Sequence, residues 1–236
     1  MFSSLYSISQ EYIRTTSSIS STPVHVEHIA ARTKGEIYIG VVGPVRTGKS
    51  TFIKHFMELL VLPYMEELHS KERAIDELPQ SAAGKTVMTT EPKFVPSNAV
   101  KVQFKNKASA KIRLVDCVGY LVDGVIGDKE NDEPRLVKTP WESEPMPFEK
   151  AAELGTEKVI KEHSTVGILV TTDGSILDIP RENYIKAEER VVLDIKRSGK
   201  PFVILLNSVN PTDKKCKELA ESLSDKYGVK VTPVNV

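Results

Sequence analysis

Residues 40–51 read GVVGPVRTGKST and begin within the apolar run EIYIGVV at 36–42. They contain the pattern G-x-x-x-x-G-K-[ST], with Gly43, Gly48, Lys49 and Ser50 at its fixed positions. The backbone N–H groups of such a loop converge on a phosphate, and the helix that follows presents its positive end to the anion. A glycine turn carrying a solvated lysine is the alternative. Because a predicted strand precedes the pattern and a predicted helix follows it, the sequence favours a phosphate-binding loop, or P-loop.

The side chains of the P-loop have predicted roles. Lys49 reaches the outer phosphates, and the Ser50 hydroxyl holds Mg²⁺. Arg46 lies inside the loop, where a guanidinium can stabilise charge on a transferring phosphoryl group as an arginine finger does. The alternative is that Arg46 points outward and pairs with Glu91 or another loop carboxylate. The residues predicted to contact the nucleotide are Gly43, Pro44, Val45, Arg46, Thr47, Gly48, Lys49, Ser50, Thr51 and Asn207.

Composition narrows the class of protein. The 236-residue chain has 32 basic and 32 acidic side chains and no formal net charge, so we expect no general attraction to nucleic acid or to an anionic membrane. Its two cysteines, Cys117 and Cys216, form neither a disulfide framework nor a C-x-x-C zinc motif, which favours the reducing cytoplasm. No apolar run approaches the ~20 residues that span a bilayer.

Apolar runs alternate with helical patterns along most of the chain, which predicts an α/β fold. Beyond the first strand and the helix at 49–62, the runs at 99–105 and 110–119 predict a hairpin. Residues 64–98 and 120–147 are predicted to be long loops. Three helix–strand pairs follow, with helices at 148–163, 184–199 and 213–228 and strands at 166–172, 201–208 and 230–236. The pattern predicts a P-loop NTPase of the GTPase-like (TRAFAC) type, a mostly parallel sheet covered by helices on both faces.

Magnesium ligands are predicted beyond the P-loop. Asp116 ends an apolar strand and Gly119 follows it, a D-x-x-G pattern in which the aspartate holds Mg²⁺ through water and the glycine N–H contacts the γ-phosphate. Between this pattern and the P-loop lies GKTVMTTEP (84–92), whose Thr89 and Thr90 are the first candidates, and Thr86 the next, to complete the metal shell over a γ-phosphate. The alternative is that these threonines only cap turns.

Two departures argue against an ordinary GTP switch. Guanine-binding members of this class carry N-K-x-D after a late strand, and here Asn207 is present but Ser208 and Asn210 replace the lysine and the aspartate. Guanine selectivity should therefore be weak, which favours adenine. Tyr120 follows Gly119 where water-positioning members have glutamine, so hydrolysis is expected to be slow or to use another group to orient water.

Several long stretches resemble the stage IV sporulation protein A family, the spore coat morphogenetic ATPases of endospore-forming bacteria. They are GVVGPVRTGKSTFIKHFMELLVLP (40–63), DELPQSAAGKTVMTTEPKFVP (76–96), IRLVDCVGY (112–120) and SEPMPFEKAAELGTEKVIKEHSTVGILVTTDGSI (143–176). The resemblance implies an ATPase domain over 29–236, preceded at 1–28 by a disordered or foreign tail rich in serine and threonine. In the family's pattern Lys49 matches the P-loop lysine, Asp116 the magnesium-site aspartate, and Thr89 and Thr90 the sensor threonines.

The resemblance also implies a biological role. Members of the family hydrolyse ATP with Mg²⁺ to drive self-assembly into the basement layer of the spore coat. They do so in the mother-cell cytoplasm at the forespore surface, where a small membrane-bound peptide anchors them among other coat proteins. The resemblance leads us to expect that the family's C-terminal regions, which carry much of this binding, lie outside the sequence given. A nucleotide-dependent scaffold with little turnover and a small-molecule phosphotransferase are the alternative functions.

Overall fold

A computed structural model describes residues 36–65, 67–79, 91–103, 109–125, 129–130 and 133–236. Its main feature is a six-stranded sheet in the order β10-β9-β8-β1-β3-β2. The antiparallel pairing of β2 with β3 is the predicted hairpin, and the other neighbours are parallel. The prediction of 64–98 as a loop is wrong in part, since β2 begins at Lys93 and a helix spans Leu68–Asp76. The strands are β1 (Glu36–Val42), β2 (Lys93–Gln103), β3 (Ser109–Asp116), β8 (Val166–Thr172), β9 (Phe202–Asn207) and β10 (Val231–Val234).

Five α-helices accompany the sheet in the described part of the chain. The first and the third each continue into a π-helical turn, at Met57–Val61 and Val159–His163. After the first of these turns, a 3₁₀ turn at Leu62–Tyr64 contains Pro63, which ends the helical segment. The helices are α1 (Lys49–Phe56), α2 (Leu68–Asp76), α3 (Phe148–Lys158), α4 (Arg181–Ser198) and α5 (Lys214–Tyr227).

Apolar side chains bury both faces of the sheet, as expected for a parallel sheet between helices. One buried cluster packs Phe52 and Ile53 of α1 against residues of the sheet such as Leu114. The other includes Val45 of the P-loop and Tyr184 of α4. Helices packed on both faces of the sheet therefore hold in place the loops that follow the carboxyl ends of its parallel strands. This arrangement confirms the predicted α/β fold with helices and a mostly parallel sheet.

A buried polar cluster joins β8, α4 and α5. Glu188 has no exposed surface and accepts hydrogen bonds from three side chains. The Arg181 guanidinium donates to it at 2.7 Å and the Tyr227 hydroxyl at 2.6 Å, while the third donor is the Thr171 hydroxyl. A buried carboxylate is tolerated only when such partners replace its lost hydration.

The segment 120–147 differs from its prediction as a long loop. It contains two short antiparallel pairs, β4 (Lys129–Glu130) with β5 (Glu133–Pro134) and β6 (Leu136–Thr139) with β7 (Glu142–Pro147). β5, β6 and β7 have few buried residues, so the segment shows no strong apolar alternation in sequence. Among the described residues, no helix has the length and apolar character needed to cross a membrane.

Candidate nucleotide-binding site

The P-loop connects β1 to α1 in a conformation that depends on its glycines. Gly43 has a φ of 146° and Gly48 a φ of 95°, both in the region that L-residues rarely adopt. A side chain at Gly43 would overlap the carbonyl oxygen of Val170 in β8. Gly48 is the N-cap of α1, so the N–H groups of the first helical turn lie directly behind the loop. This is the geometry in which a helix N-terminus binds an anion.

Lys49 is buried against the inner side of the P-loop. Only 5% of the residue is exposed, and its Nζ donates to the carbonyl oxygen of Pro44 at 2.6 Å. Burial lowers the pKa of Lys49, and the nearby Cys117 and Asp116 partly oppose that shift. An ammonium with three donors and one short bond inside the loop is suited to exchange that bond for phosphate oxygens.

Ser50 and Asp116 come together as the sequence predicts. The Ser50 hydroxyl donates to Oδ2 of Asp116 at 2.8 Å, and the other carboxylate oxygen, Oδ1, is buried without a hydrogen-bond partner. Burial raises the pKa of Asp116, while the Ser50 hydrogen bond and the Lys49 charge lower it. A hydroxyl beside a carboxylate with one unsatisfied oxygen fits Mg²⁺, which binds oxygen ligands and keeps several waters.

Gly119 packs directly against the P-loop. Its φ is 94°, and a Cβ there would overlap the carbonyl oxygen of Gly43 and lie 2.7 Å from the Lys49 Nζ. The next residue, Tyr120, forms a parallel bridge with Pro44, and its carbonyl accepts the Val45 N–H at 2.9 Å. The D-x-x-G segment and the P-loop are thus joined by backbone contacts, and the predicted contact of the Gly119 N–H with the γ-phosphate stays a prediction.

The Tyr120 side chain points away from the phosphate loop. It is 2% exposed, and its hydroxyl donates to Asp194 of α4 at 2.6 Å. The Arg190 guanidinium lies 4.5 Å from its ring centroid and pairs with Glu153 of α3. Burial, followed by the contact with Asp194, raises the pKa of this phenol. Tyr120 therefore occupies the glutamine position without a group that can orient water there.

Asn207, the last residue of β9, holds the P-loop through its side chain. Its side-chain amide donates to the Thr47 carbonyl at 3.0 Å, and its Oδ1 accepts the Val236 N–H at 3.2 Å. Two further residues replace the lysine and the aspartate of the guanine motif. Of these, Ser208 is buried and Asn210 is exposed. Asn207 thus supports the backbone of the P-loop, a contact that the sequence alone did not indicate.

Arg46 takes the left-handed conformation, with a φ of 62°. Burial lowers its pKa, and Tyr184 of α4 opposes that shift. The Arg46 charge is also the smallest of the causes that shift the pKa of Lys49, which it lowers. The Arg46 charge is therefore coupled to both α4 and the phosphate loop, and its predicted role in catalysis stays a prediction.

The described residues bring together Gly43, Pro44, Val45, Arg46, Thr47, Gly48, Lys49, Ser50, Thr51, Asp116, Gly119 and Asn207. Thr86, Thr89 and Thr90, and the tail at 1–28, lie outside the described residues. Sequence reasoning missed Tyr184, Arg190 and Asp194. The sequence pattern at these positions indicates only a helix. It does not show their contacts, because the residues that they contact lie far away in the chain.

A family model described as "Stage IV sporulation protein A, ATPase domain" matches residues 23–236. The chain belongs to this family. Curated relatives named stage IV sporulation protein A are 54% identical over 210 residues in Clostridioides difficile (strain 630), and 56% identical over 208 residues in both Bacillus anthracis and Bacillus subtilis (strain 168). These matches cover 88–89% of the chain, which spans 42–43% of the length of these stage IV sporulation protein A relatives.

A solved structure of an SsGBP variant aligns with 89% of this chain and 52% of its own, at 18% identity and a TM-score of 0.45. These values are too low to add to what the stage IV sporulation protein A relatives indicate.

Proposed function

We propose that the chain binds ATP with Mg²⁺ and hydrolyses it to ADP and phosphate. The observation that carries this proposal is the Ser50–Asp116 pair, whose unsatisfied buried oxygen lies beside the Lys49 amine in a P-loop. A loop that only bound phosphate would need no buried carboxylate near the anion, since that carboxylate repels it. A divalent cation between the two removes the conflict.

Each residue then has a task in the reaction. The loop N–H groups and Lys49 bind the phosphates, and Ser50 and Asp116 would hold the ion, with Thr89 and Thr90 proposed to complete its shell. Bound Mg²⁺ neutralises charge on the phosphoryl oxygens. Gly119 presents its N–H to the γ-phosphate, and Arg46 supplies the additional positive charge during transfer.

We infer that adenine is preferred to guanine. The carboxylate that accepts from the guanine ring N–H and amino group is replaced by Asn210, and the lysine by the buried Ser208. An amide cannot accept at both positions. The family description as an ATPase domain supports the same choice.

The biological setting is also proposed from family membership. The nucleotide cycle would drive self-association into the basement layer of the spore coat, at the forespore surface in the mother-cell cytoplasm. A small membrane-bound anchor peptide and other coat proteins are the proposed partners. Regions of the relatives beyond the 42–43% spanned by this chain would contribute to those contacts.

Phosphate release with ATP and with GTP tests the proposal, using the parent, Asp116→Ala and the control Asp225→Ala, an exposed carboxylate on α5. We expect release with ATP, little with GTP, a loss of at least about 10²-fold in Asp116→Ala, and no change in the control. Binding of ATP without release would favour the scaffold alternative. Transfer of phosphate to an added small molecule in preference to water would favour the phosphotransferase.

A further inference from the structure

Tyr184 is an unexplained polar residue next to the nucleotide site. It lies in the first turn of α4 with no exposed surface, and its hydroxyl is buried without a hydrogen-bond partner among the described residues. Phenylalanine would fill the same space without that cost, because burying an unpaired hydroxyl is unfavourable. A buried hydroxyl left unpaired calls for a functional explanation.

The position of Tyr184 connects it to the P-loop. Its ring belongs to the same buried cluster as Val45, the residue before Arg46. The Arg46 charge and the Tyr184 hydroxyl are close enough for each to influence the pKa of the other. The buried Glu188, one turn further along α4, differs because it has partners of its own, among them the Arg181 guanidinium.

We propose that Tyr184 is a positioning residue whose hydroxyl, unpaired in this structure, accepts a hydrogen bond from the Arg46 guanidinium once nucleotide is bound and so holds it toward the outer phosphates. Arginine loses much rotamer freedom when it is fixed in one geometry. A buried acceptor on a rigid helix supplies that restraint before the reaction begins, so less ordering remains for the transition state.

This inference rests on the proposed function, because Arg46 must act on the phosphates for its position to matter. It goes beyond that function in assigning the orientation of Arg46 to a helix remote in sequence. Tyr184 itself contacts no reacting atom in this proposal.

The test uses Tyr184→Phe, Arg46→Ala and the double variant. The matched control is Tyr227→Phe, which also loses a buried hydroxyl, one that donates to Glu188 at 2.6 Å, one helical turn along α4 from Tyr184. We expect Tyr184→Phe to lower kcat for ATP about tenfold, the effect of one hydrogen bond to a charged group. KM should stay within about twofold of the parent. In the Arg46→Ala background, Tyr184→Phe should cause no further loss.

Titration calorimetry with ADP, alone and with aluminium fluoride, gives a measurement that does not require turnover. Tyr184→Phe should weaken the aluminium fluoride complex about tenfold relative to ADP, whereas Tyr227→Phe should leave this ratio unchanged. Parent-like kcat and ratio in Tyr184→Phe, or an undiminished loss in the Arg46→Ala background, would overturn the proposal. A parent that releases no phosphate refutes the proposed function, and the calorimetric ratio then decides the role of Tyr184.

Discussion

Replacing Glu188 by alanine should remove a large part of the stability of this domain. The carboxylate has no exposed surface and accepts from Thr171, Arg181 and Tyr227. Its loss leaves the Arg181 guanidinium, whose side chain is 15% exposed, without its carboxylate, and leaves two hydroxyls without their acceptor. Breaking a buried pair of this kind costs about 3–5 kcal/mol in the free energy of unfolding.

The neighbouring residue provides the control. Glu189 pairs with Lys226 at 2.6 Å, but the two side chains are 48% and 44% exposed. Solvent screens such a pair, so Glu189→Ala should cost at most about 1 kcal/mol. Both variants shorten a glutamate to alanine on adjacent positions of α4, so the difference between them isolates burial.

Urea denaturation followed by circular dichroism measures the difference. The midpoint should fall strongly in Glu188→Ala and little in Glu189→Ala, with the same slope in both. In thermal unfolding the first variant should melt roughly 10 °C lower, at about 2–4 °C for each kcal/mol. Glu188→Gln keeps the shape and one acceptor oxygen and should be intermediate. A Glu188→Ala protein as stable as Glu189→Ala would refute the assignment of the cluster as a stabilising one.

The remaining predictions concern the nucleotide. Arg46→Ala should lower ATP turnover by about 10²-fold or more, with a smaller effect on ATP affinity. Arg46→Lys should restore little of that turnover, because a point charge cannot bridge two oxygens. If Arg46→Ala turns ATP over within a few-fold of the parent rate, Arg46 is structural. Replacing both Thr89 and Thr90 by alanine should slow phosphate release, while ATP affinity in a direct binding assay stays nearly unchanged. A large loss of ATP affinity would mean instead that these threonines contact ATP in the ground state. Lys49→Ala should weaken binding and hydrolysis together, which the same two assays measure, and a parent rate would exclude the P-loop mechanism. Excess GTP should displace bound ATP poorly in a competition assay, whereas equal displacement would mean that adenine is not selected.

Sequence patterns predicted the parts of this fold that depend on local signals. The apolar strands, the hairpin before Asp116 and the P-loop conformation all follow from spacing and from glycine. The β6–β7 pair was missed because exposed short strands carry no alternation. Contacts such as Tyr120 with Asp194, or Asn207 with Thr47, were missed because they join residues that only the folded chain brings together.

The way Tyr120 is fixed has a consequence for how this domain can respond to its nucleotide. In nucleotide switches the segment after D-x-x-G becomes ordered or released with the γ-phosphate. Here its first residue is bridged to Pro44 and anchored through its hydroxyl to α4. Any change that moves this segment would therefore have to move α4 with it, and the Arg190–Glu153 pair links α4 to α3.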